Sequence, residues 1–146
     1  MSIYTDAMMA LGKADALDFR TRAAALDGTT VIAEEEKAPD FDAKKDYSGW
    51  PVGAPVRYGE QVYKLLQPYN AADHPGTNPS TLPALWSITH TKDPKKAKPY
   101  VAPNGTSGLY ETGECCTEGG KVYRSTIDNN SWTPTAYPDG WEAVVV

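Results

Sequence analysis

The chain has 146 residues, enough for one ordinary domain or two to three very small ones, which excludes a large multi-domain enzyme. Its 14 Lys and Arg against 19 Asp and Glu give a net charge of -5, and the absence of a basic stripe argues against a nucleic-acid partner. The 12 Gly and 12 Pro, together with 9 Tyr and 4 Trp, favour short strands and turns. We therefore expect most of the chain to be β-structure or irregular.

The sequence contains no run of apolar residues long enough to cross a bilayer. Its N-terminal stretch is acidic and Ala-rich, whereas a secretory signal has a basic start and an apolar core. We therefore expect neither a transmembrane segment nor a signal peptide, and no contact with a membrane.

The two cysteines, Cys115 and Cys116, are adjacent, and a disulfide between neighbours closes a strained ring. We expect free thiols that pack on a strand. There is no Cys-x-x-Cys pair, and His74 and His90 lie far from both cysteines in sequence. The pattern predicts neither a metal site nor a cofactor.

The first 38 residues lack proline and have the composition of a helix. From Thr5, a residue type that caps helices, to Leu26 the sequence predicts one helix, closed by Asp27 and then by Gly28 in the left-handed conformation. Two apolar stripes run along it, Ala7, Ala10, Ala14, Leu17 and Ala24 in the first and Met9, Ala16, Phe19, Ala23 and Leu26 in the second.

This wide apolar face has two interpretations. A lone helix cannot hide it, so residues 1–38 are predicted to be an assembly segment that packs on a second copy, as a homo-oligomer, or on another protein. Alternatively, the helix folds back on the β part of its own chain. After it, Thr29 or Thr30 is predicted to cap a short turn, and residues 39–46, with Pro39, to form an extended linker.

The rest of the chain contains an internal repeat, found by shifting the sequence by about 60 residues. Repeat 1 spans residues 47–90, repeat 2 spans 107–146, and the basic, proline-containing segment 91–106 is predicted to link them. The matched pairs are Trp50 with Tyr110, Gly53 with Gly113, Val62 with Val122, Tyr63 with Tyr123 and, after a five-residue shortening, Pro79 with Pro134, Pro83 with Pro138 and Trp86 with Trp141.

Each repeat is predicted to be a hairpin followed by a Pro-rich loop and a third short strand. The turns lie at Gly59-Glu60 and at Glu118-Gly119-Gly120. The predicted fold is therefore α+β, mainly β, with an N-terminal helix before two small three-stranded modules in tandem. The aromatic residues assigned to the small cores are Trp50, Tyr63, Trp86, Tyr110, Tyr123 and Trp141.

The landmarks of repeat 1 follow a pattern of three parts: Gly53-Ala54-Pro55-Val56-Arg57-Tyr58, then Val62-Tyr63-Lys64-Leu65-Leu66-Gln67-Pro68-Tyr69, then Leu82-Pro83-Ala84-Leu85-Trp86. This pattern resembles the chitin-binding-type carbohydrate-binding modules of families 5 and 12. Such modules are small three-stranded β folds found on chitinases and in tail or other appendage proteins of bacteriophages. An Ala-rich helix ahead of such a module resembles the phage proteins more than the secreted chitinases.

The resemblance implies a non-enzymatic structural component of a phage particle, in a tail, baseplate or head appendage, whose modules face outward and contact host glycans. Its helix would bind a second copy or another virion protein. The alternative is a sugar-binding accessory module of a chitin- or cell-wall-degrading enzyme. Carboxylates cluster in the helix and linker, away from the aromatic loops, so hydrolysis by this chain is not predicted.

A sugar site needs at least two exposed aromatic rings at a matching separation. In the family these rings lie after the second strand and in the following loop. Repeat 1 has Tyr69 at the first place and no Trp in its loop, whereas repeat 2 has Trp132 in the loop and Asn129 at the first place. Tyr137 is a substitute in repeat 2. The alternative is that these rings pack the small domains or a subunit contact.

Overall fold

The computed structural model describes residues 16–146 and confirms an α+β fold that is mainly β. Helix α1 covers residues 16–22 of the described part and continues into a 3-10 turn at Ala23–Ala25, and helix α2 spans Gly28–Ala33. The strands are β1 (Pro55–Tyr58), β2 (Gln61–Leu65), β3 (Trp86–Ile88), β4 (Lys98–Pro99), β5 (Cys115–Glu118), β6 (Lys121–Ser125) and β7 (Trp141–Val144). They form one sheet ordered β1-β2-β3 and another ordered β4-β5-β6-β7.

The end of the predicted helix differs from expectation. Residues 5–15 of that prediction lie outside the described residues. Gly28 does not close α1 but begins α2, and Asp27, rather than Thr29 or Thr30, caps α2 by accepting a hydrogen bond from the Thr30 amide at 2.9 Å. The glycine is needed because a Cβ at position 28 would lie 2.2 Å from the carbonyl oxygen of His90.

The described part of α1 packs on its own chain. Phe19 and Ala23 are buried in a cluster with Val31, Ile32, Ala38 and Val62. These two residues belong to the second apolar stripe. The described part of that stripe therefore packs on its own chain, as the second interpretation predicted. Leu17, from the first stripe, is 54% exposed. The prediction that the helix binds another chain therefore rests on the first stripe.

The two sheets repeat the same register with an offset of 60 residues along the hairpin. Val56 pairs with Tyr63, as Cys116 pairs with Tyr123. In the third strands, Leu65 pairs with Trp86, as Ser125 pairs with Trp141. The predicted equivalence of the two tyrosines and of the two tryptophans is therefore found in the pairing of the strands.

Both hairpin turns have positive φ at their two central residues. These are Gly59 at 55° and Glu60 at 65° in the first, and Gly119 at 59° and Gly120 at 78° in the second. Such turns match the right-handed twist of the strands that they join. The free thiols of Cys115 and Cys116, both buried on β5, agree with the prediction made for them.

The two predicted linkers are part of the modules. In residues 39–46, the Phe41 amide donates to the Arg57 carbonyl at 2.8 Å, and Asp40 and Arg57 form an isolated parallel β-bridge. In residues 91–106, β4 pairs in parallel with β5, and the Tyr100 amide donates to the Thr117 carbonyl at 3.0 Å. Each segment thus lies along the outer edge of its hairpin, and the repeated unit begins earlier than residues 47 and 107.

The sequence match of Trp50 with Tyr110 is not a structural equivalence. Tyr110 contacts Trp141 at 5.3 Å between ring centroids, and in module 1 the ring that packs edge-on against Trp86, at 5.4 Å, is Tyr47. The Tyr47 hydroxyl oxygen accepts a hydrogen bond from the Asp42 amide, and the Tyr110 hydroxyl oxygen accepts one from the Val101 amide. Trp50 instead covers Tyr47 from outside. Tyr47 lies six residues before Gly53, whereas Tyr110 lies three residues before Gly113. Because module 1 is three residues longer here, Tyr47 rather than Trp50 takes the place of Tyr110.

The modules contact each other directly. The His90 ring lies parallel to the Tyr110 ring at 3.7 Å between centroids and hydrogen-bonds the Gly108 carbonyl through Nε2 at 2.9 Å. The Gln61 side-chain amide donates to the Pro99 carbonyl at 2.8 Å. These contacts pack the second module against the first.

Candidate functional site

Two aromatic rings on the loop between β6 and β7 are open to solvent. Trp132 is 55% exposed and Tyr137 is 39% exposed, and their ring centroids lie 6.1 Å apart with an interplanar angle of 61°. The structure thus brings together the two candidates of repeat 2. Most other aromatic side chains of the modules are buried or half-buried, so this pair is the main exposed aromatic surface of module 2.

The loop that carries Trp132 is held by backbone hydrogen bonds. The Trp132 amide donates to Asn130 Oδ1 at 3.1 Å, and the Trp132 carbonyl accepts a hydrogen bond from the indole N–H of Trp141 at 3.0 Å. Asn130 is fully buried, and its Nδ2 donates to the Gly140 carbonyl at 2.9 Å. The exposed indole is therefore mounted on a fixed backbone, so little conformational entropy is lost when a ligand binds it.

Tyr137 is fixed from its own side of the loop. Its amide donates to the Thr133 carbonyl at 3.0 Å. A Cβ on Gly140 would lie 2.8 Å from Cδ2 of Tyr137, so the ring lies directly against the glycine backbone. Glycine at 140 thus permits the position that Tyr137 takes beside Trp132.

Polar groups lie on the loop that carries the two rings and next to it. Glu118, at the end of β5, accepts hydrogen bonds from the amide and the hydroxyl of Thr135, a residue that lies between the two rings in sequence. The Tyr100 hydroxyl donates to the Ser131 carbonyl at 2.8 Å. The arrangement therefore combines an apolar platform with acceptors, the combination that binds the C–H face and the hydroxyls of a sugar.

Tyr69 is not part of an exposed platform, which corrects its assignment as a sugar-binding candidate. It is 3% exposed and lies parallel to Tyr47 at 6.3 Å and edge-on to Trp86 at 5.8 Å between centroids. The loop after β2 folds over it, since its hydroxyl is 3.3 Å from Thr77 Oγ1 and its ring is 5.2 Å from that of His74. This ring is a core residue of module 1.

The six aromatic residues assigned to the cores lie within them or against them. Trp86, Tyr63, Tyr110 and Trp141 are buried, and Trp50 and Tyr123 are half-buried against the same clusters. The Arg20 guanidinium of α1 lies 3.6 Å from the centroid of the Trp50 ring. This cation–π contact covers the face of Trp50 and fixes α1 on module 1.

Sequence reasoning missed Glu118, Thr135 and Asn130. Asn130 had a detectable signal, because Asn70 lies 60 residues before it and also accepts an amide two residues on. Glu118 had none, since the residue at the same position in repeat 1 is Tyr58. Its contact with Thr135 joins a turn to a distant loop and is visible only in three dimensions.

Metal ligation and cysteine chemistry are matters separate from the ring pair. Within 16–146 there is no group of three or more His, Cys, Asp or Glu that could hold a metal ion. Burial, with smaller contributions from Glu118 and Cys115, raises the pKa of the Cys116 thiol to about 12, so the nucleophilic thiolate is disfavoured. In the same part of the chain, no helix is both long and apolar enough to cross a bilayer.

Comparison with known proteins found no protein-family model and no curated protein that matches this sequence.

Proposed function

We propose that this protein is a non-enzymatic component of a bacteriophage particle, in the tail, baseplate or a head appendage, that contacts host surface glycans through Trp132 and Tyr137. The observation that carries the proposal is the exposure of these two rings, 55% and 39%, on a loop whose backbone is otherwise tied down. An aromatic ring left in water forgoes stabilisation by burial. Two such rings exposed side by side are the kind of surface that binds a ligand.

The chemistry of the pair suits a saccharide. A sugar presents a face of C–H groups, which packs on an aromatic ring, and a rim of hydroxyls, which need polar partners. The indole and phenol rings supply the first surface, and Glu118 with Thr135 and the Tyr137 hydroxyl supply polar partners. The two rings lie on an open loop and are inclined at 61°, which agrees with binding to a polymer that passes along them, rather than to a small molecule enclosed in a cavity.

The virion assignment is supported by the resemblance of the modules and the Ala-rich helix to phage appendage proteins. The exposure of Leu17 on α1 adds to it, because an apolar side chain on an assembly segment is available to a second copy or to another virion protein. The buried side of α1 is already used by module 1.

The glycan proposal is tested by Trp132→Ala, measured by retention on chitin and on Gram-positive cell walls beside a thermal melt. Loss of a stacking ring should weaken binding by about 1 to 3 kcal/mol. The melting temperature should change little because the indole is half in solvent. Tyr69→Ala should do the opposite, costing about 3 to 5 kcal/mol of stability because a buried ring is removed.

Leu66→Ala is the matched control, since Leu66 is a 42% exposed apolar side chain on module 1, away from the ring pair. It should leave both retention and melting unchanged. Retention of the wild type by neither matrix, or equal retention of Trp132→Ala, contradicts the glycan assignment. Sedimentation of the protein with purified virions tests the second half of the proposal, and a protein that never sediments with particles overturns it.

A further inference from the structure

The ring pair lies in a part of the chain that carries negative charge alone. Residues 126–146 contain Asp128, Asp139 and Glu142, and neither Lys nor Arg. Glu118 adds a fourth carboxylate, because its side chain reaches Thr135 in the loop between the rings. An anionic ligand would approach this platform against repulsion, and a cationic one with attraction.

Two cations of the sheet lie near Glu118, and neither forms an ion pair with it in the described residues. Arg124 forms its ion pair with Glu142, at 3.1 Å. Lys121 lies opposite Glu118 in register across the Gly119-Gly120 turn. The Lys121 side chain is exposed, and among the described residues Glu118 has Thr135 as its hydrogen-bond partner rather than Lys121.

The charge of Glu118 also affects a neighbouring side chain, that of Tyr100. Burial first, and then the neighbouring Cys116 and Glu118, raise the pKa of the Tyr100 phenol. The Tyr100 hydroxyl donates to the Ser131 carbonyl, directly before Trp132. The carboxylate thus lies near the phenol that holds the backbone next to Trp132, and it contacts Thr135 of the same loop.

We propose that the platform selects an amino sugar with a free, protonated amine, whose ammonium lies over the Trp132 ring and is attracted by Glu118. This inference rests on the proposed glycan binding and specifies its ligand. Tryptophan is the side chain whose face attracts a cation most strongly, and a nearby carboxylate adds to that attraction. An N-acetylated sugar offers the same C–H face without the charge. A uronic acid carries a charge of the wrong sign.

The experiment is calorimetric titration with three tetramers, of glucosamine, of N-acetylglucosamine and of galacturonate, at a pH where the amine is protonated. We expect the glucosamine tetramer to bind about tenfold more tightly than the N-acetylated one. The galacturonate tetramer should bind least. Raising the salt from about 0.05 M to about 0.5 M should weaken the glucosamine complex alone, because screening acts on charge.

Glu118→Gln should bring the two hexosamine affinities within about twofold while its amide oxygen still accepts from Thr135. Glu142→Gln is the matched control and should keep the preference, because that carboxylate is paired with Arg124. Equal binding of the two hexosamines by the wild type, or a salt-independent preference, overturns this inference and leaves glycan binding standing. Binding of none of the tetramers overturns this inference, while glycan binding itself is decided by retention of the wild type on chitin and cell walls. If Glu118→Gln does not fold, the salt dependence of the wild type decides.

Discussion

Gly28 and Asn130 owe their identity to backbone contacts rather than to burial of apolar surface. Asn130 is fully buried and uses its side-chain amide to join three loop segments, through Ser125, Gly140 and Trp132. A buried polar group of this kind is stabilising only while each partner is present. Gly28 leaves no room for a side chain between α2 and the His90 carbonyl. Composition alone indicates neither role, because Gly28 is constrained by His90, which is distant in sequence, and Asn130 by the way the chain around it folds back.

Gly28→Ala is expected to destabilise the protein, although alanine is the better helix former by about 1 kcal/mol. The new Cβ would lie 2.2 Å from the His90 carbonyl oxygen, a rigid backbone atom, so α2 or the module junction has to move. Overpacking of this kind costs about 1 to 3 kcal/mol. Urea denaturation measures the loss.

Gly49→Ala is the control for that substitution, because nothing lies within 4 Å of a Cβ built there and its φ is not positive. Its stability should stay within about 0.5 kcal/mol of the wild type. Equal stability of Gly28→Ala and Gly49→Ala would mean that the contact between α2 and His90 yields without cost.

At the scale of elements, sequence patterns located β1, β2, β3, β5, β6 and β7 because β-branched or aromatic residues and glycine or proline turns coincide there. They did not indicate the parallel edge segments. A pairing of two or three residues that contains a proline, such as β4 or the segment around Asp40, has no periodicity to detect. The family resemblance pointed to Trp132, with Tyr137 as a substitute, whereas the burial of Tyr69 depends on how its loop folds back.

Phe41→Ala tests whether residues 39–46 are part of module 1. The ring lies parallel to Tyr47 at 5.8 Å and edge-on to Trp86 at 6.0 Å between centroids, so its loss removes contacts at the centre of the core. We expect a loss of about 2 to 4 kcal/mol, below the value for a fully buried ring. Thermal unfolding of the variant beside Val52→Ala, at a 55% exposed position, measures it. A linker residue would behave like Val52, with a change too small to resolve.

At the scale of the whole molecule, the junction between the modules decides how the ring pair is presented. His90 belongs to the segment leaving module 1 and lies against Tyr110 of module 2, with the Gly108 carbonyl as its hydrogen-bond acceptor. Tyr110 lies parallel to Tyr100, as Tyr47 lies parallel to Phe41, but module 2 has Asn129 where Tyr69 gives Tyr47 a second parallel ring. The imidazole provides a parallel partner from the other module. Two repeats that differ at this position thus become complementary to each other.

This junction is expected to weaken in mild acid. Burial lowers the pKa of His90 below its ordinary value of 6.5, partly offset by its backbone hydrogen bonds to Gly108 and Thr89. The unfolded chain therefore binds the proton more readily than the folded one. The stabilisation is complete above pH 6.5 and is lost as pH falls below it, with a slope of at most about 1.4 kcal/mol per pH unit.

Other titrating groups face the same cleft and have to be separated from His90. Lys64, Glu111 and Glu114 line it, and burial raises the pKa of the Glu114 carboxyl, which opposes the loss as pH falls. His90→Gln isolates the imidazole, because it removes the titration while the other groups stay. Urea denaturation from pH 7 to pH 5 should show the free energy of unfolding falling more in the wild type than in His90→Gln. His74→Gln, which removes an exposed histidine, is the control. Identical pH profiles for the wild type and His90→Gln would mean that the imidazole takes up its proton without disturbing the junction.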